Sequence, residues 1–96
     1  MADKIDSRKI SHTLKTDPDV FQLVWDGLKT FEIRKNDRNF QPGDTLQLAE
    51  TVYTGKQMKD SKPLKYTGRV IVVHVTHVMH GPVYGLRKGW VIMSIK

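Results

Sequence analysis

The stretch of twelve residues from 27 to 38 contains six charged side chains and three large apolar ones. Because side chains alternate along an extended chain, a strand here places Thr30, Glu32, Arg34 and Asn36 on one face. Its other face carries Phe31 and Ile33. We therefore expect the apolar face to be buried in a core and the polar face to form a binding surface.

The polar residues of this stretch combine several kinds of chemistry. The cationic donors are Lys29, Arg34 and Arg38. The carboxylates are Glu32 and Asp37, and Asn36 supplies one amide. A carboxylate accepts hydrogen bonds or protons, and the cations donate to anionic or carbonyl oxygens. An amide both donates and accepts hydrogen bonds. Such a set can bind a polar ring as well as a phosphate.

One helix is predicted ahead of this stretch, over residues 18–26. Asp17 stands at the N-cap position, Pro18 at the first helical position, and Gly27 directly after the apolar stripe, where glycine commonly ends a helix.

The rest of the chain reads as strands and turns. Strands are predicted over residues 9–14, 29–35, 45–51, 66–79 and 90–95, and residues 53–65 read as a long polar hairpin loop. The pattern predicts a single α+β domain over residues 1–96, with five to six mostly antiparallel strands in a small barrel-like sheet and one main helix. Residues 1–8 are expected to be flexible.

Two motifs in this order resemble a known family. The string Gly27-x-Lys29-Thr30-x-Glu32-x-Arg34, followed by Gln41-Pro42-Gly43-Asp44, is similar to the signature of ASCH domains. These domains belong to the PUA-like superfamily of small β-barrels, and the similarity points to its bacterial and phage branch of unestablished function. It covers nearly the whole chain, from residue 10 to residue 95.

The resemblance implies a cleft beside the barrel that holds RNA or a nucleoside-like ligand. It places His12, in the first predicted strand, and Lys15, directly after that strand, next to Lys29. Some ASCH proteins also remove an acyl group from modified cytidine, using a Lys, a Thr three residues later and a distant Glu. Here Lys29 matches that Lys, but Glu32 stands at the position of the Thr, so the hydrolase triad is not reproduced.

Two other groups of residues are candidates for ligand contacts. Tyr84 lies in a predicted loop and could stack on a base, since a flat aromatic face accepts any nucleobase. His74, His77 and His80 are close in sequence, but extended geometry separates them, so we predict no metal site and no cofactor. The predicted ligand-binding residues are therefore His12, Lys15, Lys29, Thr30, Glu32, Arg34, Asn36, Asp37, Arg38 and Tyr84.

Composition limits the function classes. The 96 residues are 39% hydrophobic and carry a net charge of +6, which favours polyanionic partners. Without cysteine, the chain has no disulfide, thiolate nucleophile or cysteine-based zinc site. No run approaches the ~20 apolar residues of a membrane span and no signal region is present, so we expect a cytoplasmic protein that does not bind membranes.

Two functions from different classes follow. The first is a binding module for RNA or a nucleotide-like ligand. The second is a hydrolase of an acylated or otherwise modified nucleoside, with Glu32 as general acid or base and Lys29 stabilising negative charge. A third reading, a protein that uses the same surface against a protein partner, also stays open. Nothing in the sequence sets the oligomeric state.

Overall fold

The computed structural model describes residues 9–96. Residues 1–8, for which we expect flexibility, lie outside the described part of the chain. The elements in chain order are β1 (His12–Thr16), α1 (Pro18–Trp25), β2 (Phe31–Lys35), β3 (Thr45–Thr51), α2 (Gly55–Lys59), β4 (Tyr66–His80) and β5 (Trp90–Ile95).

The five strands form one curled sheet with the order β1-β3-β4-β5-β2. Only β1 and β3 pair in parallel, and the other three neighbouring pairs are antiparallel. The sheet curves into a half-barrel, which brings its two edge strands, β1 and β2, to face each other. The predicted α+β class with a small, mostly antiparallel, barrel-like sheet is confirmed. None of the helices within residues 9–96 is long and apolar enough to cross a membrane.

Helix α1 begins at Pro18, as predicted, and ends at Trp25, one residue before the predicted end. Its C-terminus is a Schellman motif: Gly27, with φ +74°, donates to the Val24 carbonyl, and the next residue, Leu28, donates to the Leu23 carbonyl. Asp17 occupies the N-cap position without a side-chain hydrogen bond to α1.

The carboxylate of Asp17 instead accepts from the backbone N–H of Gly55 (2.9 Å), at the start of α2. The sequence reading assigned residues 53–65 to a loop and missed this helix. Its signal is nevertheless local, because Thr54 and Gln57 form a capping box in which each side chain accepts from the other's backbone N–H.

Strand boundaries follow the predictions closely where the pattern was strongest. β3 and β5 have the predicted limits, and β4 extends one residue further, to His80. β1 begins at His12 and ends at Thr16, later than predicted, because its pairing with β3 starts opposite Leu46. β2 begins at Phe31 instead of residue 29, since its ladder with β5 starts there.

The core fills the concave side of the sheet, where α1 also packs. It consists of Leu14, Phe21, Val24, Phe40, Leu46, Leu48, Val73, Val75, Val78, Val91, Met93 and Ile95. Trp25, on the apolar stripe of α1, lies outside this core and is 49% exposed. Its ring packs beside Phe21 and under the guanidinium of Arg69 (5.0 Å from the ring centroid).

The expected orientation of β2 is wrong. Glu32 is 2% exposed, whereas Phe31 and Ile33 are 40% and 47% exposed. The register with β5 causes this, because it sets Glu32 opposite Met93, whose side chain belongs to the core. Residues paired across an antiparallel ladder share a face, so the polar face of β2 turns inward.

A second buried carboxylate fixes α1 against the sheet. Glu50 on β3 accepts two hydrogen bonds from Arg69 (3.0 Å each) and one from Thr67 (2.7 Å). Arg69 also donates to Gln22 of α1 (2.9 Å) and lies over the Phe21 ring. The hydrogen bonds from Arg69 hold the pKa of Glu50 below its ordinary value, burial opposes that shift, and the bond from Thr67 adds to it.

This arrangement predicts acid sensitivity. Because the pKa of Glu50 is lower in the folded protein than in the unfolded chain, its ionised form stabilises the fold. This contribution is complete above the ordinary pKa of 4.5 and is lost as the pH falls through the folded-state pKa. In urea titrations, Glu50→Gln should therefore lower the unfolding midpoint at neutral pH and flatten the decline of stability below about pH 4.5. Asp60→Asn is the control, because that exposed carboxylate has no side-chain partner within residues 9–96. Equal acid profiles for Glu50→Gln and the unmodified protein would contradict the assignment.

Candidate functional site

A cleft of about 510 Å³ opens between the two edge strands of the half-barrel. One wall comes from β1 and the start of α1, and the other from Lys29, β2 and the following loop. It is lined by Leu14, Lys15, Thr16, Asp17, Val20, Lys29, Phe31, Glu32, Ile33, Arg34, Lys35, Asp37, Arg38, Phe40 and Trp90. The volume is in the range that small-molecule sites occupy, roughly 300–1,000 Å³.

Glu32 forms the buried floor of the cleft. Its Oε1 accepts from Lys29 Nζ (3.2 Å) and its Oε2 from Arg34 Nε (3.1 Å). The two cations are more accessible, with side chains 16% and 26% exposed against 3% for Glu32. The carboxylate thus fixes both cations at the cleft surface while both of its own oxygens are occupied.

Two arginines bridge the gap between the edge strands. Arg34 donates from Nη2 to the carbonyl of Lys15 (3.1 Å), and Arg38 donates from Nη1 to the carbonyl of Thr13 (2.7 Å). Strand-to-strand backbone bonds do not join β1 to β2, so these side chains connect the two edges. Because a guanidinium keeps its charge while it donates to a neutral carbonyl, the bridge also leaves the cleft positive.

Three further charged side chains of the cleft are exposed. Lys15, Lys35 and Asp37 make no side-chain hydrogen bond or ion pair with any residue of the range 9–96. In all, five cationic side chains and three carboxylates line the cleft. Glu32 is engaged by Lys29 and Arg34, so the cations that remain uncompensated are available to an anionic ligand.

Six of the ten predicted binding residues line this cleft. These are Lys15, Lys29, Glu32, Arg34, Asp37 and Arg38. The polar cluster predicted from the 27–38 stretch therefore assembles with Lys15 across the gap.

Two other predicted residues lie next to the cleft without lining it, and both contact Phe40. His12 pairs through Nε2 with Asp44 Oδ2 (3.0 Å) and packs edge-on against Phe40. Asn36 accepts from the Phe40 backbone N–H (2.9 Å), which fixes the loop that carries Arg38. Neither side chain lines the cleft.

Thr30 and Tyr84 lie elsewhere. Thr30 is exposed just before β2 and does not line the cleft. Tyr84 is 94% exposed at the tip of a tight turn, in which Val83 and Leu86 exchange both backbone hydrogen bonds. The sequence could not separate a loop beside the cleft from one away from it.

Sequence reasoning missed several lining residues. Phe31 and Ile33 are predicted on the face of β2 away from the site, and alternation gives Lys35 the same face. However, β2 is an edge strand, and the cleft runs along that edge and meets both faces. Trp90, which is not among the predicted binding residues, is partly buried at the cleft wall. Edge position depends on sheet order, which no local pattern reports.

No group of three or more His, Asp or Glu side chains within residues 9–96 is arranged to hold a metal ion. Of the three clustered histidines, His74 shares a hydrogen bond with the hydroxyl of Thr45 (3.2 Å).

Comparison with known proteins identifies the family. Residues 11–95 match a family described as a domain of unknown function, DUF3850. The chain belongs to this family. A 51-residue stretch is also 43% identical to a protein of Escherichia phage P2 described as an uncharacterized 12.9 kDa protein in the GpA 3′ region. That stretch covers 50% of this chain and 47% of the phage protein, so the chain spans about half the length of this relative.

The ion pairs of Glu32 predict how the cleft responds to loss of its central charge. Glu32→Gln leaves Lys29 and Arg34 without a counter-charge and should lower the free energy of unfolding by about 1–3 kcal/mol. Chemical denaturation at neutral pH measures this. Asp37→Asn removes a cleft carboxylate that has no partner within residues 9–96 and should change stability by less than about 0.5 kcal/mol. Equal effects of the two substitutions would show that the buried ion pairs do not hold the cleft together.

Proposed function

We propose that this protein is a small binding module that holds RNA or a nucleotide-like ligand in the cleft between β1 and β2. The observation that carries the proposal is the set of fixed cations around a buried carboxylate. Glu32 orients Lys29 and Arg34, while Lys15 and Lys35 stand exposed at the two walls.

The cleft has the chemistry that an unpaired nucleotide needs. Phosphates bind cationic side chains, and a base needs apolar surface together with hydrogen-bonding groups. Apolar walls come from Phe31, Ile33 and Trp90, next to the cations. The net charge of +6 adds long-range attraction for a polyanion.

The resemblance to ASCH domains supports the same proposal, because the matching residues Lys29, Glu32 and Arg34 form one cluster in the cleft. The proposal also assigns the protein to the PUA-like superfamily. It places the protein in the cytoplasm, where RNA and nucleotides are available. The half-barrel is consistent with that assignment.

The geometry favours a binding module over a nucleoside hydrolase. A general base must accept a proton from water or substrate. Both oxygens of Glu32 already accept from cationic donors, and the side chain is only 3% exposed, so little of the carboxylate is open to water or substrate. Incubation with N4-acetylcytidine and related acylated nucleosides tests the hydrolase directly, and product formation that is lost in Glu32→Gln would reverse this preference.

Binding to a polyanion should depend on salt and on the exposed lysines of the cleft. We expect fluorescence anisotropy with a labelled single-stranded RNA to give an affinity that falls as KCl rises. Lys15→Ala and Lys35→Ala should each weaken binding and reduce the slope of log Kd against log salt by about 1, since each removes one phosphate contact.

Lys59→Ala is the matched control, because Lys59 is exposed on α2 and does not line the cleft. All three substitutions remove one positive charge, so they change net charge equally. If Lys59→Ala weakened binding as much as the two cleft substitutions, binding would be a response to net charge and the cleft would not be the site.

A further inference from the structure

The backbone N–H and C=O groups of β2 point in two directions, toward β5 or away from it. Ile95 donates to the Thr30 carbonyl (3.0 Å) and Asn36 donates to the Gly89 carbonyl (2.8 Å), at the two ends of the β2–β5 ladder. Bonded and non-bonded pairs alternate along an antiparallel ladder. Glu32 and Arg34 therefore direct their backbone groups to β5. The alternate residues Phe31, Ile33 and Lys35 direct theirs away from β5 and into the cleft.

Most acceptors on this open edge are already occupied. The carbonyl of Phe31 accepts from Lys29 Nζ, and the carbonyl of Lys35 accepts from the Asp37 backbone N–H (2.9 Å). Ile33, midway between them, has no hydrogen-bond partner within residues 9–96 for either its N–H or its C=O. It presents one adjacent donor and acceptor to the cleft, beside the Glu32 cluster.

We propose that the N–H and C=O of Ile33 bind the Watson–Crick edge of an unpaired nucleobase. This inference rests on the proposed function and specifies how the base is read. Each nucleobase carries a donor next to an acceptor on that edge, so it can exchange two hydrogen bonds with one residue of a strand edge. A base in a duplex has already used this edge, so the site selects single-stranded nucleic acid or free nucleotides.

A peptide strand fits the same edge poorly. Strand addition needs a row of free backbone groups on alternate residues. Here the carbonyls on either side of Ile33, those of Phe31 and Lys35, are occupied, which leaves one complete pair. One N–H and one C=O are what the edge of a planar base needs. The exposed Lys15 and Lys35 line the same cleft, where they can contact the phosphates.

A paired change in protein and ligand tests the proposal. Ile33→Pro removes the cleft-facing N–H, and an edge strand tolerates proline where the N–H is not part of the ladder. Ile33→Val keeps the N–H and is the matched control. On the ligand side, a short uridine oligoribonucleotide is compared with the same oligomer built from N3-methyluridine, which has equal charge but a blocked Watson–Crick edge.

The unmodified protein and Ile33→Val should bind the uridine oligomer at least about tenfold more tightly than the methylated one, because methylation removes a hydrogen bond and blocks its neighbour. Ile33→Pro should bind the uridine oligomer more weakly and narrow the difference between the two oligomers, because the proline ring removes the N–H and occupies its position at the cleft. Such non-additivity would show that the two changes remove one interaction. Equal binding of both oligomers by the unmodified protein, with salt dependence retained, would overturn this inference alone, whereas no binding of either would overturn the proposed function as well.

Amide hydrogen exchange in the unmodified protein gives a second reading that does not depend on the folding of Ile33→Pro. The Ile33 amide should exchange quickly in the free protein, while those of Glu32 and Arg34 are protected by the ladder with β5. The uridine oligomer should slow exchange at Ile33, and the methylated oligomer should not. An Ile33 amide whose exchange is unaffected by the bound uridine oligomer would overturn the proposal.

Discussion

The buried carboxylate of Glu32 is the interaction on which the cleft depends. Burying a carboxylate is costly unless charged partners offset the loss of hydration, and Lys29 and Arg34 provide one such partner for each oxygen. Arg34 also reaches across the gap to the carbonyl of Lys15. Arg34 thus pairs with Glu32 and also joins the two edge strands. The same contacts therefore support the curl of the sheet and fix the charges of the cleft.

The incompletely closed barrel explains why a cleft lies between the two edge strands. Direct pairing of β1 with β2 would use their backbone groups on each other and fill the space between them. Arginine side chains span a wider gap than backbone hydrogen bonds do, and they leave a cleft between the strands. The occupied carbonyls of Phe31 and Lys35 also protect the edge of β2 against pairing with another chain, which exposed edges otherwise invite.

Within residues 9–96, two buried carboxylates form ion pairs, and their surroundings give them different roles. Glu50 and its partner Arg69 lie against α1, where the guanidinium covers the rings of Phe21 and Trp25. In that pair Glu50 is buried while Arg69 stays partly exposed, and the pair holds helix to sheet. The cations of Glu32 instead border an open cleft, together with Lys15 and Lys35, which form no ion pair within residues 9–96.

Local sequence determined α1, β3 and β5, because Pro18, Gly27 and the apolar spacing act over a few neighbouring residues. It also marked the polar stretch that supplies Lys29, Glu32 and Arg34 to the cleft. Tertiary structure decided which face of β2 turns inward. Both faces of that strand offered a self-consistent pattern, and only the register with β5, a partner almost sixty residues away, selects between them. The same long-range pairing makes β2 an edge, and that position brings Lys35 and the backbone of Ile33 into the cleft, where no periodicity in the sequence could place them.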